Sequence, residues 1–333
     1  MPTSTQQWIK TGVTKWGHPF YMDQFYRLWK DAVYQQYEIY TFTGFHVKMS
    51  AMQIPLSGEL SPFIKHYLFV DSKGSAIKKL RLFSDGNTGI VFSFNSHLFS
   101  LQPSTELQEW LPPAFLYGQI TGFKDIYAAG DTSLVIIVFH PQAIHQIFGI
   151  PAIELRDKVI PVDEIFGHQF QYIQEQLAEL QHIRDKVNLL DGFFLSFIYK
   201  NGFNPQPVTT NTLQQIQLAK GLMPVGQLTK ITGFTERQIE RKFIECVGLT
   251  PKMYSNIVKL HHLLKHLNNG NTNKKLTSIA YEAGYTDQSH SIKEFKKYTG
   301  LTPGEYIKKA GKLTNNFLEL LTASNAAWPA GEF

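Results

Sequence analysis

One cysteine, Cys246, stands among 333 residues. That excludes an intrachain disulfide and any zinc site built on several thiolates. No apolar run approaches the roughly 18 residues that a membrane-crossing helix needs. The start of the chain is polar and then aromatic, without the apolar core of a signal peptide. No Gly-rich phosphate loop and no nucleophile elbow occurs. The HxH-then-Glu pattern of a metal-binding cupin is missing from 50–140. These absences set the expectation of a cytoplasmic protein that is not an enzyme, with no cofactor, no metal and no membrane partner.

What is present is a repeat. GLTPKMY at Gly248–Tyr254 returns as GLTPGEY at Gly300–Tyr306, 52 residues later. Phe243 and Phe295 stand five positions before each copy. Upstream of each phenylalanine lie a small residue, a glycine and a polar helix starter: Thr229, Gly233 and Thr235, then Ala280, Gly284 and Asp287. A helix-turn-helix needs the small side chain where its helices cross and the glycine where its turn takes a positive φ. Two such units in tandem point to double-stranded DNA.

Charge agrees with this placement. The net charge is only +5, but residues 211–312 hold 16 Lys/Arg against 7 Asp/Glu, while the rest of the chain holds 16 against 20. Such asymmetry is a footprint for polyanion binding.

The chain divides as follows. Residues 1–48 are crowded with aromatics, have few aliphatics, and are expected as a loosely ordered extension, with Met49 or Met52 as a natural initiator. Residues 49–202 are expected as a β-rich domain with a helical segment. HYLFV (66–70), LRLF (80–83), GIVFSF (89–94) and SLVIIVFH (133–140) read as strands of an antiparallel sandwich or barrel. Asp85–Gly86 and Gly130–Asp131 read as tight turns. From Pro141 to about 202 the pattern turns helical. NGFNPQPVTTN has the composition of a linker, placed at 203–210. The double unit follows at 211–312, and a tail at 313–333. The fold class is therefore α+β: a sandwich- or barrel-like front, then an all-α tandem.

Within the tandem, the first lead helix is expected near Asn211, carrying Leu213 and Ile216. Thr235 caps a helix from Glu236. With Ile239 and Phe243 buried, about 100° per residue turns Arg237 and Arg241 outward, with Glu240 on the flank. Arg suits guanine O6 and N7, and Glu accepts from cytosine N4. Thr250–Pro251 and Thr302–Pro303 each read as a cap with proline at the first helical position. The first opens a long helix bearing Tyr254, Ile257, Leu260, Leu264 and Leu267, which ties the units together. In the second unit, with Phe295 buried, Ser289, His290, Lys293 and Lys297 face outward, with Lys296 at the side. Ser291 falls on the core side, where an apolar residue is expected, and Ile292 lies beside it.

TERQIERKF–x4–GLTPKMY and LTSIAYEAGYTDQSHSIKEFKKYTGLTPGEY resemble the seven-helix DNA-binding domain of AraC/XylS transcriptional regulators. The resemblance implies that Arg237, Glu240 and Arg241 read bases in one major groove, and Ser289, Ile292 and Lys293 in the next. Thr235, Gln288, His290, Lys296 and Lys297 are expected on the DNA backbone. This sequence departs from the family at Ser291, usually Phe, and at Lys293, more often Arg. RLFSDGNTGIVFSF and FGIPAIELRDKVIPVDEIFG are more loosely similar to the β-rich sensor domains of a subgroup. The implied function is transcription regulation under a small-molecule effector, with a homodimer and RNA polymerase as further partners. Phe83, Phe92, Phe94, Tyr117 and Phe139 are candidates to line an effector pocket or to form plain core.

Other chemistry weighs less. His261, His262 and His266 sit where a metal cluster could form, but two imidazoles at i, i+4 are too few without an acidic partner. A solvated or DNA-facing edge is the simpler reading. His140 and His145 raise the alternative of a cupin-like enzyme targeted to DNA by the tandem. Cys246 on the Phe243 side of its helix reads as packing rather than an alkyl-accepting nucleophile.

Overall fold

The strands Thr88–Phe94 and Thr132–Phe139 are buried along almost their whole length, which requires cover on both faces of their sheet. The computed structural model describes residues 38–43, 48–95, 97–101, 107–268, 276–312, 314 and 316–320. Two antiparallel sheets supply part of that cover. The first runs β1 (Glu38–Thr43), β2 (Lys48–Pro55), β3 (Ile64–Ser72), β10 (Thr132–Phe139), β5 (Thr88–Phe94), β8 (Ala114–Tyr117), β11 (Val159–Pro161). The second runs β12 (Ala310–Lys312), β13 (Phe317–Leu320), β4 (Lys78–Phe83), β9 (Phe123–Ala129), β6 (His97–Leu101), β7 (Gln108–Trp110).

Alternate residues of the first sheet serve two cores. Leu68, Val70, Val91, Leu134, Ile136 and Val138 meet Leu80, Leu98, Ala128 and Phe317 of the second sheet. Tyr67, Phe69, Ile90, Phe92, Ile137 and Phe139 meet helices His168–Glu179 and Ile183–Asn201 through Phe170, Leu177, Leu190 and Phe194. The turns at Gly86 (φ 79°) and Gly130 (φ 78°) do form. They carry the chain from one sheet to the other rather than between paired strands, since β4 and β9 belong to the second sheet and β5 and β10 to the first.

A third core gathers the C-terminal helices. Pro207–Leu218, Val225–Thr232, Glu236–Val247, Pro251–Asn268, Leu276–Glu282, Gln288–Thr299 and Pro303–Lys309 follow in order. Their buried residues include Ile216, Leu228, Ile239, Phe243, Tyr254, Leu260, Phe295 and Tyr306, joined by Phe83 of β4 and Leu318 of β13.

Several expectations are corrected here. The expected extension runs to 48, yet Glu38–Thr43 is a strand registered on Lys48–Gln53. The backbone of a neighbour supplies the partner that its own composition lacks. Residues 1–37 and 44–47 of that extension lie outside the described residues. The linker expected at 203–210 is helical from Pro207, because proline fits the first turn of a helix, where no N–H bond is needed. Before it, the backbone N–H of Asn204 donates to Gln146 at 2.9 Å, and Phe203 packs edge-on to Phe63. In the expected tail, Phe317–Leu320 pairs with Lys79–Leu82 of β4. The helical stretch from 141 is interrupted by β11 and by Gly167 (φ 66°, ψ −159°).

Candidate nucleic-acid interface

In the first unit, Gly233 ends helix Val225–Thr232 in the left-handed region (φ 75°), its N–H donating to Thr229 at 3.0 Å. Thr235 then starts helix Glu236–Val247 with a capping box: the Gln238 N–H donates to Thr235 Oγ1, and the Thr235 N–H donates to Gln238 Oε1 at 3.0 Å. Ile239, Phe243, Cys246 and Val247 are buried. Arg237, Glu240 and Arg241 are exposed on the other side, as the periodicity places them.

The second unit repeats this outline by other means. Gly284 takes φ 82°, and a β-carbon there would strike Leu222. Asp287 caps helix Gln288–Thr299 by accepting from the His290 N–H at 2.7 Å. Ser289, His290, Lys293, Lys296 and Lys297 are exposed, and Ile292 is half-buried. Gln288 is half-buried and Thr235 exposed, and both are engaged within the protein. Thr277 Oγ1 donates to Gln288 Oε1 at 2.8 Å, and Thr235 serves its own cap. Ser291 is buried, and its hydroxyl donates to the Gln288 carbonyl at 2.7 Å.

Helix Pro251–Asn268 touches both recognition helices. Tyr254 packs edge-on to Phe243 at 5.6 Å, and Lys259 pairs with Glu294 at 3.4 Å. Tyr254 also accepts from Gln217 Nε2 at 2.9 Å. The same helix meets the sheets, since His261 Nε2 bonds the Ser84 carbonyl at 2.9 Å. A carbonyl only accepts, so that nitrogen carries a proton.

The recognition helices meet the N-terminal half at their C-terminal ends. A β-carbon on Gly248 would lie 2.7 Å from the Ala152 carbonyl oxygen. One on Gly300 would lie 2.5 Å from Arg81 Nη1 and 2.7 Å from the Phe123 ring. Arg81 is held by both carboxylate oxygens of Asp125, each at 2.6 Å, and donates to Thr299 O at 3.4 Å. The N-terminal ends and outward faces stay open, which suits helices that enter a groove N-terminus first.

The histidine readings need correction. His261 is not on a solvated or DNA-facing edge: it is turned into Ser84 and stands 6.2 Å from the Phe83 ring. His266 has an acidic neighbour that sequence distance hid, Glu282 at 3.6 Å, and lies 4.6 Å from the His262 ring. His145 donates from Nδ1 to the Ile150 carbonyl at 3.2 Å. Among the described residues no three His, Cys, Asp or Glu side chains form a group that could hold a metal. Cys246 is buried, and burial pushes its thiol up, away from the reactive thiolate. No described helix is long and apolar enough to cross a membrane.

Of the aromatics proposed for a pocket, Tyr117 borders a cavity of about 270 Å³ between the sheets. Phe92 and Phe139 belong to the core under the helices, and Phe83 to the C-terminal core. Phe94 packs against the edge of the former.

Residues 228–309 match a family described as a helix-turn-helix domain, and residues 52–161 one described as a domain of unknown function (DUF6597). The HTH-type transcriptional regulator NimR of Escherichia coli (strain K12) is 33% identical over 95 residues, 28% of this chain and 34% of that protein. The HTH-type transcriptional activator RhaS of Enterobacter sp. (strain 638) is 33% identical over 72 residues, 21% of this chain and 24% of its own. An uncharacterised HTH-type regulator of Staphylococcus aureus (strain N315) is 24% identical over 94 residues, 28% of this chain but only 12% of that protein. The chain thus spans about a third or less of the length of these relatives. A crystal structure of ToxT from Vibrio cholerae aligns over 72% of this chain and 96% of that one, with 10% identity and a TM-score of 0.40. The C-terminal region holds a helix-turn-helix domain, behind a β-rich N-terminal region.

Proposed function

We propose that this chain, an AraC/XylS-type protein, is a sequence-specific transcription regulator that reads two successive major grooves under the control of a small molecule. One observation carries the reading. Both recognition helices bury their C-terminal ends on the N-terminal half, the first against Ala152 and the second against the sheet residues Arg81 and Phe123, while Arg237, Glu240, Arg241, Ser289 and Lys293 remain exposed on their outward faces. The half-buried Ile292 adds an apolar contact for a thymine methyl group. Lys296, Lys297 and His290 flank the second helix, where phosphates would lie. Thr235 and Gln288, at the starts of the two helices, are placed for the DNA backbone. The cavity between the sheets is the place for the effector. A β-rich front domain followed by a DNA-binding domain that starts at Pro207, a dimer, and contact with RNA polymerase belong to the same reading.

The test is footprinting of the full chain on duplexes it selects from a random pool. Protection of two major-groove segments about 34 Å apart is expected. Affinity should fall steeply with salt, because several Lys and Arg displace counterions. Protection of one groove alone, or no selected sequence, overturns the reading.

A further inference from the structure

The cavity and the DNA-binding helices share a wall. Ser84–Asn87 connects β4 to β5 across one end of the two sheets, and Asp85 borders the cavity. Asp85 accepts from Lys65 Nζ at 3.3 Å and from Asn87 through its side chain at 2.5 Å and its backbone N–H at 3.1 Å. The other side of the turn is the linking helix Pro251–Asn268. His261 holds the Ser84 carbonyl at 2.9 Å, and a β-carbon on Gly86 would lie 2.5 Å from the Tyr254 ring. There is no slack between the two, so the turn cannot move without the helix feeling it.

The cavity itself is selective. Leu68, Leu80, Val91, Leu134, Ile136 and Val138 give it apolar walls. Charged residues on its border are either exposed, as Glu109, Lys124, Asp157 and Lys158 are, or engaged, as Asp125 is with Arg81. Among the described residues, one fully buried polar atom on its border is left without a partner. His66 is 7% exposed, borders the cavity, and its Nδ1 has no hydrogen-bond partner. Burial first, and the Lys65 charge second, hold the imidazole down at about 4, so it is neutral at pH 7. A neutral imidazole cannot offset a buried charge, and one free nitrogen beside the Tyr117 and Ser100 hydroxyls is too little to satisfy a polyol.

We propose that the cavity takes a small, largely apolar, uncharged molecule with one hydrogen-bonding head placed on His66, and that the Ser84–Asn87 turn passes its presence to helix Pro251–Asn268. The control of DNA binding in this statement rests on the function proposed above. The ligand's class and the coupling route do not follow from that function.

Three probes separate the classes: 2-naphthol, its charged counterpart 2-naphthoate, and glucose. Added to the full chain, 2-naphthol should raise the melting temperature by several degrees and the other two should not. His66→Leu should abolish that rise. Leu98→Phe, which fills the space from the second sheet, should abolish it too and guards against a folding defect at His66. On a selected duplex, 2-naphthol should change the affinity of the unaltered chain by at least about fivefold. His261→Phe should keep the thermal rise and lose the change in DNA affinity. The ligand class is wrong if 2-naphthoate or glucose binds as well as 2-naphthol, if 2-naphthol does not bind, or if its binding survives both cavity variants. The turn is not the route if His261→Phe leaves the full change in affinity, or if 2-naphthol binds the unaltered chain and leaves its affinity as it was. A chain that binds 2-naphthol at His66 but selects no duplex defeats the regulator reading and leaves the ligand class standing.

Discussion

The slot four residues before the buried phenylalanine of each recognition helix holds Ile239 in the first unit and Ser291 in the second. Both are buried, but one contributes a full apolar side chain and the other a hydroxyl spent on its own helix. The starts differ as well, a capping box on Thr235 against a single Asp287 bond. The second unit has its compensation elsewhere. Lys259 and Glu294 pair with side chains 12% and 10% exposed, and Lys259 Nζ sits 4.3 Å from the centre of the Tyr285 ring. Arg81 grips the end of the helix from the sheet. At this slot the first unit is braced by its own core, while the second leans on charges reaching in from outside. A repeat preserves the outline of a motif while leaving its means of support free to diverge.

The sharpest way to break this comparison is Lys259→Ala. Removing one partner of a largely buried pair leaves an uncompensated charge, at a cost of about 3–5 kcal/mol. The full chain should lose amide-exchange protection across Gln288–Thr299 well before Glu236–Val247. Equal loss in both helices would show that the pair serves the whole C-terminal core and not one unit.

The two repeat glycines come next. Both have left-handed φ, 81° at Gly248 and 69° at Gly300, where a β-carbon costs about 1–2 kcal/mol. Gly248→Ala must also displace a backbone carbonyl, which brings the cost to about 3 kcal/mol. Gly300→Ala meets side-chain ends, Arg81 and a partly exposed Phe123, and should cost about 2 kcal/mol. Urea midpoints of the full chain rank the two. A reversed order would mean that the first unit is the looser one against the N-terminal half.

At the DNA, Arg241→Ala should relax preference at one base pair by about 1–3 kcal/mol, while Lys296→Ala weakens every sequence alike and flattens the salt dependence. Selection from a random pool decides it. An unchanged motif for Arg241→Ala would mean that the first helix only positions the second.

Much of this was legible because its causes are local. Turn glycines, caps and the three- and four-residue spacing of Ile239 and Phe243 act within one helix, and the sequence shows them directly. The central strands were legible because cover on both faces makes them continuously apolar. What escaped depends on partners distant in the chain. Phe317–Leu320 is a strand because β4 offers it an edge, and nothing within four residues announces that. His261 looked solvated on its helix because Ser84, its acceptor, lies 177 residues away. Gln108–Trp110 and Val159–Pro161, three residues each, are too short for any period to register. Pro207 was misread for another reason: proline both breaks helices and starts them, and the neighbouring Gly202 and Asn204 tipped the reading toward a linker.

The smallest effect belongs to the slot that distinguishes the two units. Ile239→Ala should cost about 2–5 kcal/mol, since it removes buried methylenes from a closed core. Ser291→Ala should change stability by no more than about 0.5 kcal/mol. The hydroxyl it removes bonds only the Gln288 carbonyl, which keeps its place in the helix ladder. Alanine is also the better helix former, and no hydroxyl is then left in an apolar surrounding. The two terms nearly cancel, with the balance on the side of the variant. Thermal melts of the full chain can resolve this against Ile239→Ala in the same buffer. A loss at Ser291 comparable to that at Ile239 would mean that the serine hydroxyl organises the second unit. The contrast between a unit braced from within and one braced from outside would then have to be redrawn around that bond.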